Sequence, residues 1–170
     1  MELKLQNIRV NLIILFLFSL LSFETYAQTP AQTIPEFTFY KLDKTPFTNK
    51  NVTVGKDVLF IFFDVTCDHC QHTISTLSKR INECQKISIY LISLEDKTAI
   101  NNFFNQYGKN LSGQKNVTIL QDSKNQFITQ FGPRKYPSVF LYSAQKKLLL
   151  YDDEDQYLEK FFKIVSPSKK

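Results

Sequence analysis

The apolar residues of this chain fall into short continuous runs and helical stripes that alternate along its length. The clearest run is VLFIFF at residues 58–63, which is typical of a strand buried on both faces. Residues 67–84 carry apolar positions at spacings of three and four, which predicts a helix. The same patterns predict strands over residues 37–42, 87–94, 117–120, 138–142 and 147–151, and helices over residues 99–107 and 125–131.

The segments between these elements are polar or contain proline. Residues 28–36 hold two prolines and predict a loose leader, and residues 44–56 predict a polar loop. Asp155 is a candidate N-cap for a last helix whose apolar residues are Tyr157, Leu158, Phe161, Phe162 and Val165. Strands that alternate with helices predict an α/β fold, with a central mixed β-sheet flanked by helices on both faces.

The first 27 residues have the three-part pattern of a secretory signal peptide. Lys4 and Arg9 supply a positive start, residues 12–23 are mostly apolar, and small residues precede a cleavage point after Ala27. The apolar run is shorter than the roughly 20 residues that a membrane-spanning helix needs, which favours cleavage over an uncleaved anchor. We therefore expect a periplasmic or secreted protein without stable membrane insertion, built from a signal peptide (1–27), a leader (28–36) and one domain (37–166).

Composition and charge exclude some classes of function. The chain is 43% hydrophobic and holds 16 Phe and 8 Tyr, which is enough to fill a core and excludes a disordered protein. The net charge is +5, but the basic residues are scattered and form no stripe. The sequence therefore gives no support to a nucleic-acid partner.

Two cysteines stand where the buried strand meets the following helix. Cys67 begins the helix and Cys70 lies one turn further, so the two side chains can meet. The unpaired N–H groups and partial positive charge of a helix start favour the thiolate form of Cys67. One sulfur can then attack a substrate disulfide, and the other can resolve the mixed disulfide. This placement predicts a redox-active pair.

Around these residues the chain resembles the thioredoxin superfamily, and within it the extracytoplasmic TlpA-type thiol–disulfide oxidoreductases. The matching stretches are IPEFTFYKLDKTPF, KDVLFIFFDVTCDHC and KYPSVFLYSAQKKLLLY, and the resemblance covers roughly residues 34–165. It implies a thioredoxin fold in which Cys67 attacks and Cys70 resolves. It also implies that Tyr136 and Pro137 form a cis-proline segment that holds the substrate chain by backbone hydrogen bonds. Electrons then pass between protein thiols and disulfides and a redox partner protein, so no bound cofactor is implied.

The chain departs from the family pattern at residues that tune the cysteines. Thr66 stands where the family usually has Trp. The two positions that usually supply an acid as proton acceptor for the resolving cysteine hold Ile61 and Thr73. Asp64 and His72 are the candidates to replace that acid.

Three further residues each admit two interpretations. His69, between the cysteines, either favours the Cys67 thiolate and makes the disulfide a stronger oxidant, or is simply exposed at the helix start. His72 adds a fourth donor, but four donors on one helical turn cannot all face one ion, so we assign no metal site. That argument does not apply to copper(I), which prefers soft ligands and needs fewer of them. Cys84 is either a buried core thiol or a bridging or regulatory thiol.

The sequence thus favours an extracytoplasmic oxidoreductase that exchanges disulfides with protein substrates. The alternative is a non-enzymatic thioredoxin-fold module, either a metal carrier or an adaptor, in which the cysteines are ligands or structural residues. The direction of electron flow stays open.

Overall fold

The computed structural model describes residues 29–154 and 158–166 of the 170-residue chain. The signal peptide predicted at residues 1–27 lies outside the described residues, as do Asp155 and Tyr157 of the predicted last helix. Within the described ranges, no helix is both long and apolar enough to cross a membrane.

The described residues form seven strands and four α-helices. The strands are β1 Thr38–Lys41, β2 Pro46–Thr48, β3 Val58–Phe62, β4 Ser88–Ser93, β5 Val117–Gln121, β6 Ser138–Tyr142 and β7 Leu148–Asp152. The helices are α1 Asp68–Lys79, α2 Lys97–Tyr107, α3 Gln126–Phe131 and α4 Glu159–Val165. The strands make one sheet in the order β2-β1-β5-β4-β3-β6-β7. Strands β3, β4 and β5 run parallel and the other pairs are antiparallel, which confirms the predicted mixed sheet and thioredoxin fold.

Every residue of β3 is buried because helices cover both faces of the sheet. Leu59 and Ile61 face a core that they share with α1, α2 and α4. Phe60 and Phe62 face the opposite core, which they share with α3 and β1. Successive side chains of a strand point to opposite faces, so a strand covered on both sides must be apolar throughout. The continuous apolar run is therefore explained by the position of β3 in the middle of the sheet.

The end of one predicted helix and the assignment of one predicted loop were wrong. The helix predicted over residues 67–84 ends as an α-helix at Lys79, and Ile81–Cys84 follow as a 3₁₀ turn. The segment predicted as a polar loop over residues 44–56 contains β2, in which the buried Phe47 pairs with Phe39 of β1. A strand of three residues with one buried side chain is too short for a periodic pattern to appear.

Residues 29–36 are not the loose leader that their composition predicts. The Ala31 N–H donates to the carbonyl oxygen of Phe131 at 2.9 Å, and the Leu148 N–H donates to the carbonyl oxygen of Gln32 at 2.8 Å. The segment is therefore bound across the end of α3 and the start of β7. Long-range backbone hydrogen bonds of this kind leave no signal in local composition.

Gly132 makes this attachment possible at the end of α3. Its φ is +65°, a left-handed conformation in which residues other than glycine are strained. A Cβ atom at this position would also lie 2.6 Å from the carbonyl oxygen of Thr29. Glycine therefore both ends the helix and lets the leader pass close to it.

Candidate functional site

The two cysteines lie where β3 ends and α1 begins. Cys67 is the N-cap of α1, with an extended backbone at φ −82° and ψ 118°, and its side chain is half-buried. Cys70 lies one turn into the helix and is fully buried. Both are present as thiols and not as a disulfide. The strand–helix junction thus presents one cysteine to solvent and shields the other.

The surroundings of Cys70 keep its thiol protonated. Burial raises the pKa of Cys70 well above its ordinary range, and hydrogen bonding to the Cys67 thiol and the negative charge of Asp64 raise it further. In the opposite direction, the Asp64 N–H donates to Cys70 Sγ at 3.5 Å and lowers the pKa. Because the thiolate is the nucleophile, Cys70 is held unreactive until something removes its proton.

Asp64 is fixed in the loop that precedes the cysteines. Its Oδ1 accepts hydrogen bonds from the Thr66 N–H at 2.7 Å and from the Thr66 hydroxyl at 2.6 Å. Its carbonyl oxygen accepts from the Cys67 N–H at 3.4 Å. Ile61 and Thr73 are both buried, so the positions of the usual acids are filled by a hydrocarbon and a hydroxyl. Asp64 is therefore a carboxylate close enough for its charge to act on the Cys70 thiol.

The loop before β6 approaches Cys67 from the side. The Tyr136–Pro137 peptide bond is cis, as the family resemblance implies. The Cys67 thiol points to the carbonyl oxygen of Tyr136, at a sulfur–oxygen distance of 4.0 Å. The Tyr136 ring packs on Phe62 with a centroid distance of 4.6 Å, and burial raises its pKa to about 12, with Asp64 adding to the effect. The fold thus brings the predicted residues Cys67, Cys70, Tyr136 and Pro137 into one site.

A hydrogen-bonded network holds this cis-proline loop against β7. The Arg134 guanidinium donates to both carboxylate oxygens of Asp153, at 2.8 and 3.0 Å. The Tyr151 hydroxyl donates to Asp153 at 2.9 Å and accepts from the Arg134 N–H at 3.0 Å. The Ser138 hydroxyl donates to the carbonyl oxygen of Lys135 at 2.7 Å. This network leaves no signal in the sequence, because only the pairing of β6 with β7 brings its members together.

The two histidines and the third cysteine lie in different settings. His69 and His72 are both on exposed positions of α1. Among the residues that the structure describes, no group of three or more His, Cys, Asp or Glu side chains could hold a metal ion. Cys84 is buried at the end of the 3₁₀ turn, as the interpretation of a core thiol requires. Burial raises the pKa of Cys84 to about 12, and the charge of Glu83 contributes.

Comparison with known proteins places this site in a family context. A model of the AhpC/TSA family matches residues 30–150. No curated protein matches the chain. Among solved structures, a secreted Mycobacterium tuberculosis disulfide oxidoreductase homologous to E. coli DsbE is 22% identical, over 69% of this chain and 83% of that chain, with a TM-score of 0.58.

Two other solved structures extend the comparison. A thiol-disulfide oxidoreductase from Bacteroides fragilis NCTC 9343 is 18% identical, over 78% of this chain and 98% of that chain, with a TM-score of 0.61. The peroxidoxin BcpB from Mycobacterium tuberculosis is 14% identical, over 85% of this chain and 100% of that chain, with a TM-score of 0.65. At these identities the likeness shows a common thioredoxin-like fold. The family match covers more than half of the sequence, and the chain therefore belongs to the AhpC/TSA family.

Proposed function

We propose that this protein is an extracytoplasmic thiol–disulfide oxidoreductase that exchanges disulfides with protein substrates through Cys67 and Cys70. The observation that carries the proposal is the contrast between a half-buried Cys67 at a helix start and a fully buried Cys70 beside it. An accessible thiol can attack a substrate, while a shielded and protonated thiol waits for the second step. Membership of the AhpC/TSA family and the thiol–disulfide oxidoreductases of the same fold support this chemistry.

The reaction needs only the two thiols and a proton acceptor. The Cys67 thiolate attacks one sulfur of a substrate disulfide, forms a mixed disulfide, and releases the other substrate sulfur as a thiolate that takes up a proton. Cys70 then gives its proton to an acceptor, for which Asp64 is our candidate, and attacks Cys67 Sγ. The second substrate thiolate leaves, so the substrate gains two electrons and this protein holds a Cys67–Cys70 disulfide. The same steps in reverse oxidise a substrate dithiol.

Two neighbours of the cysteines have supporting roles in this proposal. The carbonyl oxygen of Tyr136, beside the cis bond to Pro137, accepts a backbone hydrogen bond from the substrate chain and aligns its disulfide with Cys67. His69, in the first turn of α1, favours the thiolate of Cys67 when its imidazole is protonated.

The proposed location outside the cytosol rests on two observations. The first 27 residues have the pattern of a signal peptide, and a structure of the same fold belongs to a secreted oxidoreductase. Disulfides persist in such oxidising compartments, so a dithiol protein there meets disulfide-bonded proteins as substrates. A redox partner protein must restore the working state of the cysteines after each turnover.

Trapping of the mixed disulfide tests this function. The Cys70→Ser variant, mixed with a disulfide-containing protein, should accumulate a covalent complex through Cys67 that dithiothreitol dissolves, because the resolving thiol is gone. The same variant with Cys84→Ser added should trap equally well, and with Cys67→Ser added it should trap nothing. A covalent complex that still forms in the variant with Cys67→Ser added would contradict the proposed mechanism. Absence of any complex, together with tight copper(I) binding, would favour the non-enzymatic carrier instead.

A further inference from the structure

The cis-proline loop, residues 132–137, belongs to neither a helix nor a strand and connects the end of α3 to the start of β6. It carries the carbonyl oxygen of Tyr136, which lies 4.0 Å from Cys67 Sγ. A backbone acceptor can align a substrate chain with the reacting sulfur only if the loop holds that acceptor in a fixed place. The contacts that fix the loop therefore bear on the reaction.

Residues on both sides of the cis peptide bond contact the hydroxyl group of Tyr151 on β7. On the N-terminal side, the Arg134 N–H donates to the Tyr151 hydroxyl oxygen at 3.0 Å. On the C-terminal side, the Ser138 hydroxyl lies 3.2 Å from the same oxygen, and it also donates to the Lys135 carbonyl oxygen at 2.7 Å. One hydroxyl group thus ties down the chain before and after the cis bond.

Asp153 fixes the direction of that hydroxyl group. Asp153 is 8% exposed, and its Oδ2 accepts from the Tyr151 hydroxyl at 2.9 Å. A tyrosine hydroxyl has a single proton, so once that proton points to the carboxylate, its lone pairs are left to face the loop. A hydrogen bond to an ionised carboxylate is also stronger than one between neutral groups. The arrangement keeps the Tyr151 oxygen available as an acceptor for the Arg134 N–H.

The Tyr151 ring is itself held by the sheet. Tyr151 lies opposite Phe140 in the antiparallel pair of β7 with β6, and the two rings meet edge to face with their centroids 4.8 Å apart. The Arg134 guanidinium lies 4.9 Å from the centre of the Tyr151 ring. The Tyr136 ring packs on Phe62 of β3, the other neighbour of β6. The loop that leads into β6 is therefore held from both neighbouring strands.

We propose that Tyr151 is a positioning residue for the disulfide exchange, because its hydroxyl group holds the Tyr136 carbonyl oxygen where a substrate chain can pair with it beside Cys67. The inference rests on the proposed function and adds to it a residue outside the reacting atoms. Loss of the hydroxyl group removes the acceptor for the Arg134 N–H and loosens the loop, while both thiols stay in place. A substrate that pairs with the loop must then react more slowly, whereas a disulfide without a peptide backbone must not.

Two disulfides of different kinds test this role. One is the symmetric disulfide dimer of a short peptide with a single cysteine, which offers backbone N–H groups to the loop. The other is hydroxyethyl disulfide, which has no peptide group. The reduced protein is mixed with each, and the second-order rate constant for release of the first thiol is measured as Cys67 forms the mixed disulfide.

The Tyr151→Phe variant removes the hydroxyl group and keeps the ring. A misplacement of about 1 Å can slow a reaction by about a hundredfold, and a loosened loop is a milder change than a displaced one. We therefore expect Tyr151→Phe to slow the reaction with the peptide disulfide by about tenfold, which corresponds to about 1.4 kcal/mol. Its rate constant with hydroxyethyl disulfide should equal that of the wild type.

Tyr90→Phe is the matched control, since it also removes one hydrogen-bonded hydroxyl group from a tyrosine of the sheet. Tyr90 is 3% exposed on β4, and its hydroxyl oxygen accepts from the Thr53 N–H at 3.1 Å, outside the cis-proline loop. Tyr90→Phe should keep both wild-type rate constants, and urea unfolding shows that both variants are folded.

A wild-type rate of Tyr151→Phe with the peptide disulfide would overturn the positioning role while leaving disulfide exchange intact. Equal slowing of both disulfides would overturn it as well, because the hydroxyl group would then act on Cys67 or on the whole fold and not on the alignment of the substrate chain. Failure of the wild-type protein to reduce either disulfide would instead overturn the proposed function.

Discussion

Alkylation of the native, reduced protein should be confined to Cys67. Burial raises the pKa of Cys84 from an ordinary 9.0 to about 12, and it raises the pKa of Cys70 further in the same direction. Each pKa unit is a factor of ten in the thiolate fraction, so Cys84 at neutral pH holds about a thousandfold less thiolate than an ordinary cysteine. The thiolate is the reacting species, and burial also excludes the reagent. We therefore expect Cys67 to react at least about a thousandfold faster than either buried thiol.

The assay is a timed reaction with iodoacetamide at neutral pH, followed by digestion and mass spectrometry of the three cysteine peptides. The same reaction in guanidinium chloride is the control, and there all three cysteines should react at similar rates. Reaction of Cys70 or Cys84 within about tenfold of the Cys67 rate, in protein that circular dichroism shows to be folded, would refute the assignment of roles by burial.

Three further predictions concern tuning, pH and packing. His69→Pro should make the Cys67–Cys70 couple more reducing by tens of millivolts in glutathione buffers, where about 30 mV corresponds to 1.4 kcal/mol; an unchanged potential would discard the tuning role of His69. The free energy of unfolding of the reduced protein should fall as pH rises above 9, because the buried thiols keep protons that the unfolded chain loses. Cys84→Ala should make that fall shallower by about 1.4 kcal/mol per pH unit between pH 9 and about 12, and equal slopes would contradict the raised pKa. Gly132→Ala should lower stability in urea by about 1–3 kcal/mol, since φ is +65° and the new Cβ would lie 2.6 Å from the Thr29 carbonyl oxygen; an unchanged midpoint would count against that close contact.

The centre of the fold and the reactive pair were predictable because their signals are local. An unbroken apolar run can be satisfied only by a strand covered on both faces, and β3 is that strand. Cys67 follows the run directly, so its position at the start of α1 follows from the sequence. The end of α1 was not predictable in the same way, because Ile81 and Cys84 continue the apolar spacing inside a 3₁₀ turn.

The surroundings of the site were not predictable because they depend on contacts between distant segments. Arg134 meets Asp153 and Tyr151 only because β6 and β7 pair, and no periodic pattern links these residues. The contact of Ala31 with the end of α3 spans a hundred residues.

The reduction potential of the Cys67–Cys70 couple tests the central claim most directly. Purified protein is equilibrated in glutathione buffers of graded potential, quenched, and analysed by mass spectrometry for the disulfide between these two residues. Stabilisation of the Cys67 thiolate by His69 predicts one two-electron transition above the roughly −270 mV of thioredoxin, near the −180 mV of protein disulfide isomerase. A midpoint potential at or below that of thioredoxin would show that His69 does not make the couple more oxidising. The protein would then be a reductase of the ordinary thioredoxin kind. Failure to form a Cys67–Cys70 disulfide at any potential would contradict the redox function itself.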